Sequence, residues 1–164
     1  MKLLLHSCCG PCSLSCVKSL RAENIEPYLF WYNPNIHPKT EYKARLNCLS
    51  EYTQEENLNL TIINEDIKRE DFNIENKKNC EKCYRVRLEK AASFAANESY
   101  CAFSTTLLIS PYQDHELIKT ISEELAAKYS VDFFYKDFRP LFREGQAASR
   151  AKGMYMQKYC GCML

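Results

Sequence analysis

The stretch Met1-Lys-Leu-Leu-Leu-His-Ser-Cys-Cys-Gly-Pro-Cys12 opens the chain and decides the fold. The short apolar run 2–6 predicts a buried strand. Residues 11–23 predict a helix with proline in its first turn, where the N–H that proline lacks is not needed. Further outward, strands are predicted at 28–32, 61–64, 101–105 and 133–135, and helices at 38–56, 82–97, 114–129 and 145–152. The polar stretch 68–78 is predicted as a loop or a loose helix.

This alternation predicts a single α/β domain over residues 1–164, a parallel sheet with helices on both faces. Ligands of such sheets bind beyond the carboxyl ends of the strands. We therefore expect loops 7–12, 33–38 and 105–112 to meet at one edge and to carry the chemistry.

The composition favours a globular protein whose cysteines carry function. Hydrophobic residues make up 46% and charged residues 26% of the 164 residues, and 22 Lys and Arg against 21 Asp and Glu leave a net charge of +1. No strong overall field is directed at nucleic acid or membrane. The opening Leu3–Leu5 run is too short for a signal peptide core, which predicts a cytoplasmic protein without a membrane partner. In that reducing compartment, ten cysteines indicate metal ligands or redox thiols.

Cys8, Cys9 and Cys12 form the first cysteine cluster, at the predicted turn from strand to helix. Unpaired backbone amides and the positive end of the helix dipole lower thiol pKa values there and favour metal binding. Cys9-Gly-Pro-Cys12 also copies the thioredoxin redox tetrapeptide, which leaves a thiol–disulfide oxidoreductase as an alternative. That fold needs a β-α-β unit before the motif, and nine residues leave no room for one. Cys16, Cys48 and Cys101 are as readily explained as buried core residues, Cys101 inside a strand.

Cys80-Glu-Lys-Cys83 forms the second cluster, at the start of a predicted helix. Its spacing lets both sulfurs face one metal, and the basic residues around it favour thiolates: Lys78, Lys82, Arg85 and Arg87. Together with Cys8 and Cys9 it offers four thiolates, which suit either zinc or an iron–sulfur cluster. A zinc-binding RNA module without redox activity therefore remains an alternative.

Cys160-Gly-Cys162 lies near the end of the chain. A disulfide across one residue closes a very small ring and is easily reduced, which favours an electron shuttle over a structural crosslink. Two idle thiols in a frayed tail are the competing interpretation.

Several polar residues are candidates for substrate contact. His37 lies in the loop after the second predicted strand, and Tyr42 and Arg45 lie on the helix that follows, where a solvated face explains them equally well. Asp114 is a good helix N-cap. Between 136 and 158, six basic residues, including Arg139, stand against two acidic ones, with aromatic residues interleaved. That mixture suits RNA, although a solvated helix face is the simpler interpretation.

These segments together resemble the QueH family of epoxyqueuosine reductases over nearly the whole length. The order and spacing of the motifs, more than any one of them, carry the resemblance. They are Leu4–Ser13, Tyr32–Pro38, Cys80–Leu88, Phe103–Leu108, Tyr112–His115, Asp137–Arg139 and Tyr159–Cys162.

The resemblance implies reduction of the epoxide of epoxyqueuosine at the tRNA wobble position to queuosine, with two electrons consumed and one oxygen lost as water. It assigns a [4Fe–4S] cluster to Cys8, Cys9, Cys80 and Cys83 and a redox-active disulfide to the Cys160–Cys162 pair. An additional mononuclear iron, with Cys12 or an acidic residue as a ligand, would lie near the cluster. An external electron donor is implied, and no cobalamin.

Roles for the remaining candidates follow from where the loops are expected to meet. We hypothesise that His37 or Asp114 protonates the departing oxygen, with a metal-bound water as the alternative donor. Tyr42, Arg45 and Arg139 are predicted to bind substrate. The first loop also resembles, distantly, the phosphate loops of adenine-nucleotide α-hydrolase-like (HUP-like) folds. The chain lacks their Ser-Gly-Gly-x-Asp-Ser signature, so a shared Rossmann-like fold without ATP use is expected.

Overall fold

The structure, a computed structural model, describes residues 1–65, 67, 73–74 and 77–162. Its strands are β1 (Leu3–His6), β2 (Tyr28–Trp31), β3 (Leu60–Ile62), β4 (Asn73–Ile74), β5 (Lys77–Lys78), β6 (Ala102–Thr105) and β7 (Asp132–Phe133). Its α-helices are α1 (Gly10–Ala22), α2 (Lys39–Glu55), α3 (Cys80–Asn97), α4 (His115–Tyr129) and α5 (Phe142–Ala151). Short 3₁₀ helices follow β6 (Thr106–Ile109) and precede α5 (Arg139–Leu141).

The main sheet is parallel, with strand order β3-β2-β1-β6-β7. β1 lies at its centre and pairs with β2 on one side and β6 on the other, Leu5 opposite Leu29 and Ser104. The chain moves outward from β1 first to one edge and then, after α3, to the other. The point where the direction reverses lies between β1 and β6, which is where parallel α/β sheets hold their ligands.

The core explains why β1 is the central strand. Leu3, Leu4 and Leu5 are fully buried, and so are Phe30 of β2 and Phe103 of β6. A strand that is apolar on both faces is stable only when helices cover both faces. One face is covered by α1 and α2, with α5 packed on α1, and the other by α3 and α4, as right-handed crossovers require. The predicted doubly covered parallel sheet is confirmed.

The helix starts near the carboxyl edge are set by local side chains. The Cys9 sulfur caps α1 by accepting a hydrogen bond from the Cys12 N–H, and Pro11 lies in the first turn. Asn79 caps α3 and Asp114 caps α4, each by accepting a backbone N–H three residues later. Such caps satisfy amides that the helix leaves unpaired, and they fix where each helix begins.

Two local predictions need correction. Cys101 is exposed and not part of the core, because β6 begins one residue later and only the Cys101 backbone N–H, bonded to the Lys2 carbonyl, joins the sheet. Within 68–78, the described residues form an antiparallel pairing of β4 with β5 where a loop or loose helix is predicted. The other residues of that stretch lie outside the described part of the chain.

Among the described residues, none of the helices combines the length and the apolar composition that crossing a membrane requires.

Candidate metal and redox site

Buried side chains join the first three loops at the carboxyl edge of the sheet. His6, at the end of β1, contacts the Thr105 hydroxyl through Nδ1 at 2.9 Å and the Asn33 Oδ1 through Nε2 at 2.9 Å. Asn33 Nδ2 donates to the Ser7 carbonyl at 2.9 Å, which fixes the orientation of its amide and makes His6 Nε2 the donor. Burial, and then the charge of Arg87, lower the pKa of His6 to about 4. A neutral histidine therefore holds the loops after β1, β2 and β6 together.

Cys8, Cys9 and Cys12 form a tight sulfur triad above this network. Their Sγ atoms all lie within 4.8 Å of one another, and the three residues are 7%, 2% and 7% exposed. The Cys8 N–H donates to the Thr106 hydroxyl at 3.3 Å, and the Cys8 sulfur lies 3.5 Å from the same oxygen. The triad is thus held by the first turn of α1 on one side and by the segment after β6 on the other.

Negative charge in the triad concentrates on Cys8. Hydrogen bonds from the Cys12 and Cys9 thiols lower the pKa of Cys8 well below that of an ordinary thiol. The same contact with Cys8 raises the pKa of Cys12. Three sulfurs that share one negative charge while buried form a strong site for a thiophilic cation.

Arg87 connects the triad to the second cysteine cluster. Its side chain is buried on α3, and Nη2 donates to the Cys83 sulfur at 3.2 Å. Burial alone would lower the pKa of Arg87, but the thiolate charges of Cys83 and Cys8 raise it. Burial raises the pKa of Cys83 even though Arg87 opposes the effect. Arg85, in contrast, is partly exposed and forms ion pairs with Glu81 and Glu124 at the protein surface.

A cavity brings the second cluster and the C-terminal cysteine pair together. Cys80, Cys83, Cys160 and Cys162 all line it, and so does His37. Cys83 and both C-terminal cysteines are partly buried, and Cys80 is exposed. The motif near the end of the chain therefore packs beside Cys80-Glu-Lys-Cys83 and is not a frayed tail.

The four predicted cluster ligands do not form one tight set among the described residues. The structure groups Cys8 and Cys9 with Cys12, whereas Cys80 and Cys83 line a cavity with Arg87, Cys160 and Cys162. The spacing of the motifs could not show whether Cys8 and Cys9 lie closer to Cys12 or to Cys80 and Cys83, because spacing constrains only cysteines on the same local segment.

His37 lies in the cavity with both ring nitrogens next to carbonyl oxygens. Nδ1 is 3.0 Å from the Asn35 carbonyl and Nε2 is 3.0 Å from the Ile67 carbonyl. These two contacts hold the ring in place at the cavity wall.

Asp114 and its neighbour His115 lie at the start of α4. The Asp114 carboxylate accepts the Leu117 N–H at 3.1 Å, so the predicted proton donor serves as the N-cap. His115, which the sequence did not single out, is buried, with Nε2 2.7 Å from the Tyr135 hydroxyl. Its Nδ1 has no hydrogen-bond partner among the residues that the structure describes. Burial, and then Arg139, lower the pKa of His115. Its place in the motif Tyr112–His115 was the only signal for it.

The predicted substrate-binding residues have different surroundings. Tyr42 accepts a hydrogen bond from the Trp31 indole at 2.9 Å and donates to Asn64. Arg139 is partly exposed and forms an ion pair with Asp137 at 2.9 Å. Arg45 is 1% exposed and bonds to the C-terminal segment. Of the three, Arg139 is the residue with a charged group facing solvent.

Comparison with known proteins places this site in a family. The sequence model described as epoxyqueuosine reductase QueH matches residues 3–164. The chain belongs to the QueH family. Proteins named epoxyqueuosine reductase QueH are 33% identical in Dehalococcoides mccartyi and 34% identical in Thermotoga maritima. These alignments cover 99% and 98% of this chain, and 91% and 88% of the relatives.

A solved structure shares the fold. It is the predicted subunit of a tRNA methyltransferase from Methanocaldococcus jannaschii, with a TM-score of 0.57, 15% identity, and coverage of 97% of this chain and 94% of that one. At this identity the likeness concerns the fold alone. It agrees with the predicted Rossmann-like sheet.

Proposed function

We propose that the protein reduces the epoxide of epoxyqueuosine at the wobble position of tRNA to queuosine, without cobalamin. The family membership supports the reaction. The observation that carries the mechanism is a succession of sulfur groups: a buried triad, then Cys80 and Cys83, then a partly exposed Cys-x-Cys pair beside them. This succession suits the delivery of electrons from the surface to a buried centre.

The chemistry of the donors suits an iron–sulfur cluster that Cys8, Cys9, Cys80 and Cys83 would hold once the two pairs are drawn together. All four donors are sulfur, and soft thiolates select iron–sulfur clusters and zinc over hard cations. Arg87 bonds to the Cys83 sulfur and interacts electrostatically with Cys8, so its positive charge lies near both halves of the set. When bound, a [4Fe–4S] cluster supplies the electron transfer that ordinary side chains do not perform.

Cys12 supports the additional mononuclear iron. Ligands at about 2.3 Å around one tetrahedral ion are about 3.8 Å apart. The Cys12 sulfur lies within 4.8 Å of both Cys8 and Cys9, which is close to that spacing. Cys12 is therefore a residue that would contribute a ligand to such an ion, alone or with an acidic residue.

His37 is the favoured proton donor of the two candidates. Loss of the epoxide oxygen as water requires two electrons and two protons. His37 lines the cavity together with Cys80, Cys83 and the C-terminal cysteine pair, whereas Asp114 is not among the residues that line it. Asp114 stays a prediction, and its carboxylate would have to give up the N-cap of α4 to act.

The Cys160–Cys162 pair accounts for the electrons. When the two thiols close to a disulfide they release two electrons and two protons, which is what one epoxide consumes. An external dithiol or another reductant then reopens the disulfide through the exposed edge of the pair. The pair lies next to Cys83 in the cavity wall, so it can pass electrons inward.

The tRNA would approach over the aromatic and basic surface around α5. Tyr112 is 84% exposed, and its ring packs edge-on against Phe142 at 5.7 Å. Arg139 lies on the 3₁₀ turn before α5. Exposed rings stack on unpaired bases of a loop, and arginine binds phosphates. With tRNA as substrate, we infer that the protein works in the cytoplasm.

Metal content and turnover of the full chain, purified without oxygen, test the proposal. We expect about four acid-labile sulfides per chain and at least as much iron, with a fifth iron where the mononuclear site is filled. We also expect conversion of epoxyqueuosine tRNA to queuosine tRNA, measured by mass spectrometry of the nucleosides. Stoichiometric zinc without sulfide would replace the reductase with an RNA-binding metal module. Disulfide reduction without any metal, lost in Cys12→Ser, would support a thiol–disulfide oxidoreductase.

A further inference from the structure

A buried ion pair on α2 contacts the C-terminal cysteine segment. Arg45 is 1% exposed, and its Nε donates to the Glu41 carboxylate at 2.8 Å, four residues earlier on the same helix. A guanidinium so deeply buried needs acceptors for its remaining N–H groups, because unpaired buried donors are costly. The location of those acceptors therefore indicates which part of the molecule Arg45 holds in position.

The acceptors of Arg45 are backbone carbonyls on either side of the first C-terminal thiol. Nη2 donates to the Tyr159 carbonyl at 2.6 Å and Nη1 to the Cys160 carbonyl at 3.3 Å. The guanidinium carbon also lies 5.2 Å from the centre of the Tyr159 ring. One side chain therefore fixes two successive peptide groups, and with them the direction in which Cys160 points.

Further contacts close around this segment from both sides. The Tyr155 hydroxyl donates to the Glu41 carboxylate, so the ion pair is itself tied to the segment that it holds. The Tyr159 hydroxyl donates to the His37 carbonyl at 2.5 Å, and the His37 N–H donates to the Gly161 carbonyl at 2.9 Å. Residues 155–161 have no regular secondary structure, and these bonds supply the order that helix or sheet bonds supply elsewhere.

We propose that Arg45, oriented by Glu41, is a positioning residue that seats Cys160-Gly-Cys162 against the cavity shared with Cys80 and Cys83. The inference rests on the proposed function for the redox role of the pair. The position of the segment, held by the hydrogen bonds of Arg45, is a property of the fold and does not depend on that function. It replaces direct substrate binding by Arg45, because its guanidinium is buried and its N–H groups are directed at Glu41 and the two carbonyls.

The test uses three variants of the full chain, purified without oxygen. Arg45→Met removes every N–H donor at similar length. Arg45→Lys keeps the charge and one donor group but cannot span Glu41 and two carbonyls. The matched control is Arg21→Met, since Arg21 also joins a glutamate, Glu56 at 2.9 Å, and a backbone carbonyl, that of Glu56 at 2.8 Å, away from the cysteines.

Three measurements report how firmly Arg45 holds the segment that carries Cys160 and Cys162. Iodoacetamide alkylation of Cys160 and Cys162, resolved by peptide mass spectrometry, reports their accessibility. Hydrogen exchange at the His37 amide reports its bond to Gly161 directly. Steady-state kinetics with epoxyqueuosine tRNA separate KM from kcat.

For Arg45→Met we expect alkylation of both C-terminal cysteines and exchange at the His37 amide to rise about tenfold. The kcat should fall while KM for tRNA stays unchanged. Arg45→Lys should give an intermediate effect and Arg21→Met none on these readouts. If Arg45→Met does not fold, the alkylation and exchange rates of Arg45→Lys decide the question.

Unchanged alkylation and exchange in the Arg45 variants would overturn the proposal. So would a raised KM for tRNA at unchanged kcat, which would return Arg45 to substrate binding. Absence of epoxide reduction in the unsubstituted protein would count against the proposed function only, because alkylation and exchange still show whether Arg45 seats the segment.

Discussion

The two ends of the chain both place sulfur at the functional site, but they hold it differently. Cys8, Cys9 and Cys12 lie where a central strand becomes a helix, and none is more than 7% exposed. Cys160 and Cys162 lie on an irregular segment and are partly exposed. The segment is held by the Arg45 side chain of α2 and by a backbone bond from His37 in the loop after β2. One group is built into the core of the fold, and the other is fastened onto it.

The difference matches two kinds of sulfur chemistry. Ligands of a permanent metal centre must keep their geometry, and rigid elements with buried hydrogen bonds provide it. A thiol pair that exchanges with an external reductant needs access to solvent and room to change its dihedral angles. The first group should therefore determine metal content, and the second should determine turnover.

Replacement of a triad sulfur is the strongest test of this division. In Cys8→Ser the buried thiolate with the lowered pKa is lost, and a serine hydroxyl at that position stays protonated and binds iron poorly. We expect iron to be largely absent after purification and turnover to fall by about 1,000-fold. The exposed Cys101 gives the matched control, since Cys101→Ser should keep both. Full iron content in Cys8→Ser would remove Cys8 from the ligand set.

Lowering the pH should destabilise the fold through His6, which joins the loops next to the sulfur triad. The pKa of His6 is about 4 in the folded protein and 6.5 in a model peptide, so the fold favours the neutral ring. The contribution of neutral His6 to the free energy of unfolding is fully present above pH 6.5 and is lost as the pH falls toward 4. The difference corresponds to about 3 kcal/mol of unfolding free energy.

Urea unfolding of the protein and of His6→Gln at a series of pH values isolates the His6 contribution. Subtraction of the two curves removes the titration of the thiols and carboxylates, which both proteins share. The difference should shrink by about 3 kcal/mol between pH 7 and pH 4. Parallel curves would mean that His6 keeps the same charge in the folded and unfolded states.

Substitution in the C-terminal pair should separate turnover from metal content. In Cys160→Ser we expect iron to match the unsubstituted protein, because the triad and Cys83 are untouched, while multiple turnover falls by about 100-fold. Cys162→Ser should reproduce this result, since a disulfide needs both sulfurs. Iron loss in either variant would make the pair a ligand group and erase the distinction between the two regions.

The fold followed from the sequence where apolar residues were continuous. The run Leu3–Leu5 is buried on both faces, and only a parallel sheet covered by helices accommodates such a strand. The start of β6 was predicted one residue early, which put Cys101 in the core. An apolar run cannot show which of its end residues still pairs, because pairing depends on the neighbouring strand.

The site was predictable only as far as local spacing reaches. Each cysteine motif was visible, and the meeting of the loops after β1, β2 and β6 followed from parallel topology. The partners of Arg45 lie 114 and 115 residues away in sequence, so its helix position predicted solvent or substrate instead of the C-terminal segment. The grouping of Cys12 with Cys8 and Cys9 likewise depends on how the helix turns after Cys9.

The smallest and most local test concerns the glycine between the C-terminal cysteines. Gly161 has φ +108°, and a Cβ there would lie 3.0 Å from Ile36 Cγ1 and 3.2 Å from the Ile36 Cα. Gly153 has φ +71°, with no atom within 4 Å of the same position. Both substitutions to alanine carry the cost of a left-handed backbone, about 1 kcal/mol, but only Gly161→Ala pushes the segment away from the loop after β2.

Gly161→Ala should therefore raise iodoacetamide alkylation of Cys160 and Cys162 by about threefold to tenfold, with iron content unchanged. Gly153→Ala should alter thermal stability to a similar degree without changing alkylation, because nothing is displaced. Equal alkylation in the two variants would mean that close packing against Ile36 does not hold the pair. In that case the hydrogen bonds from Arg45 and His37 would have to hold the segment alone, and the Arg45 variants would show a correspondingly larger effect.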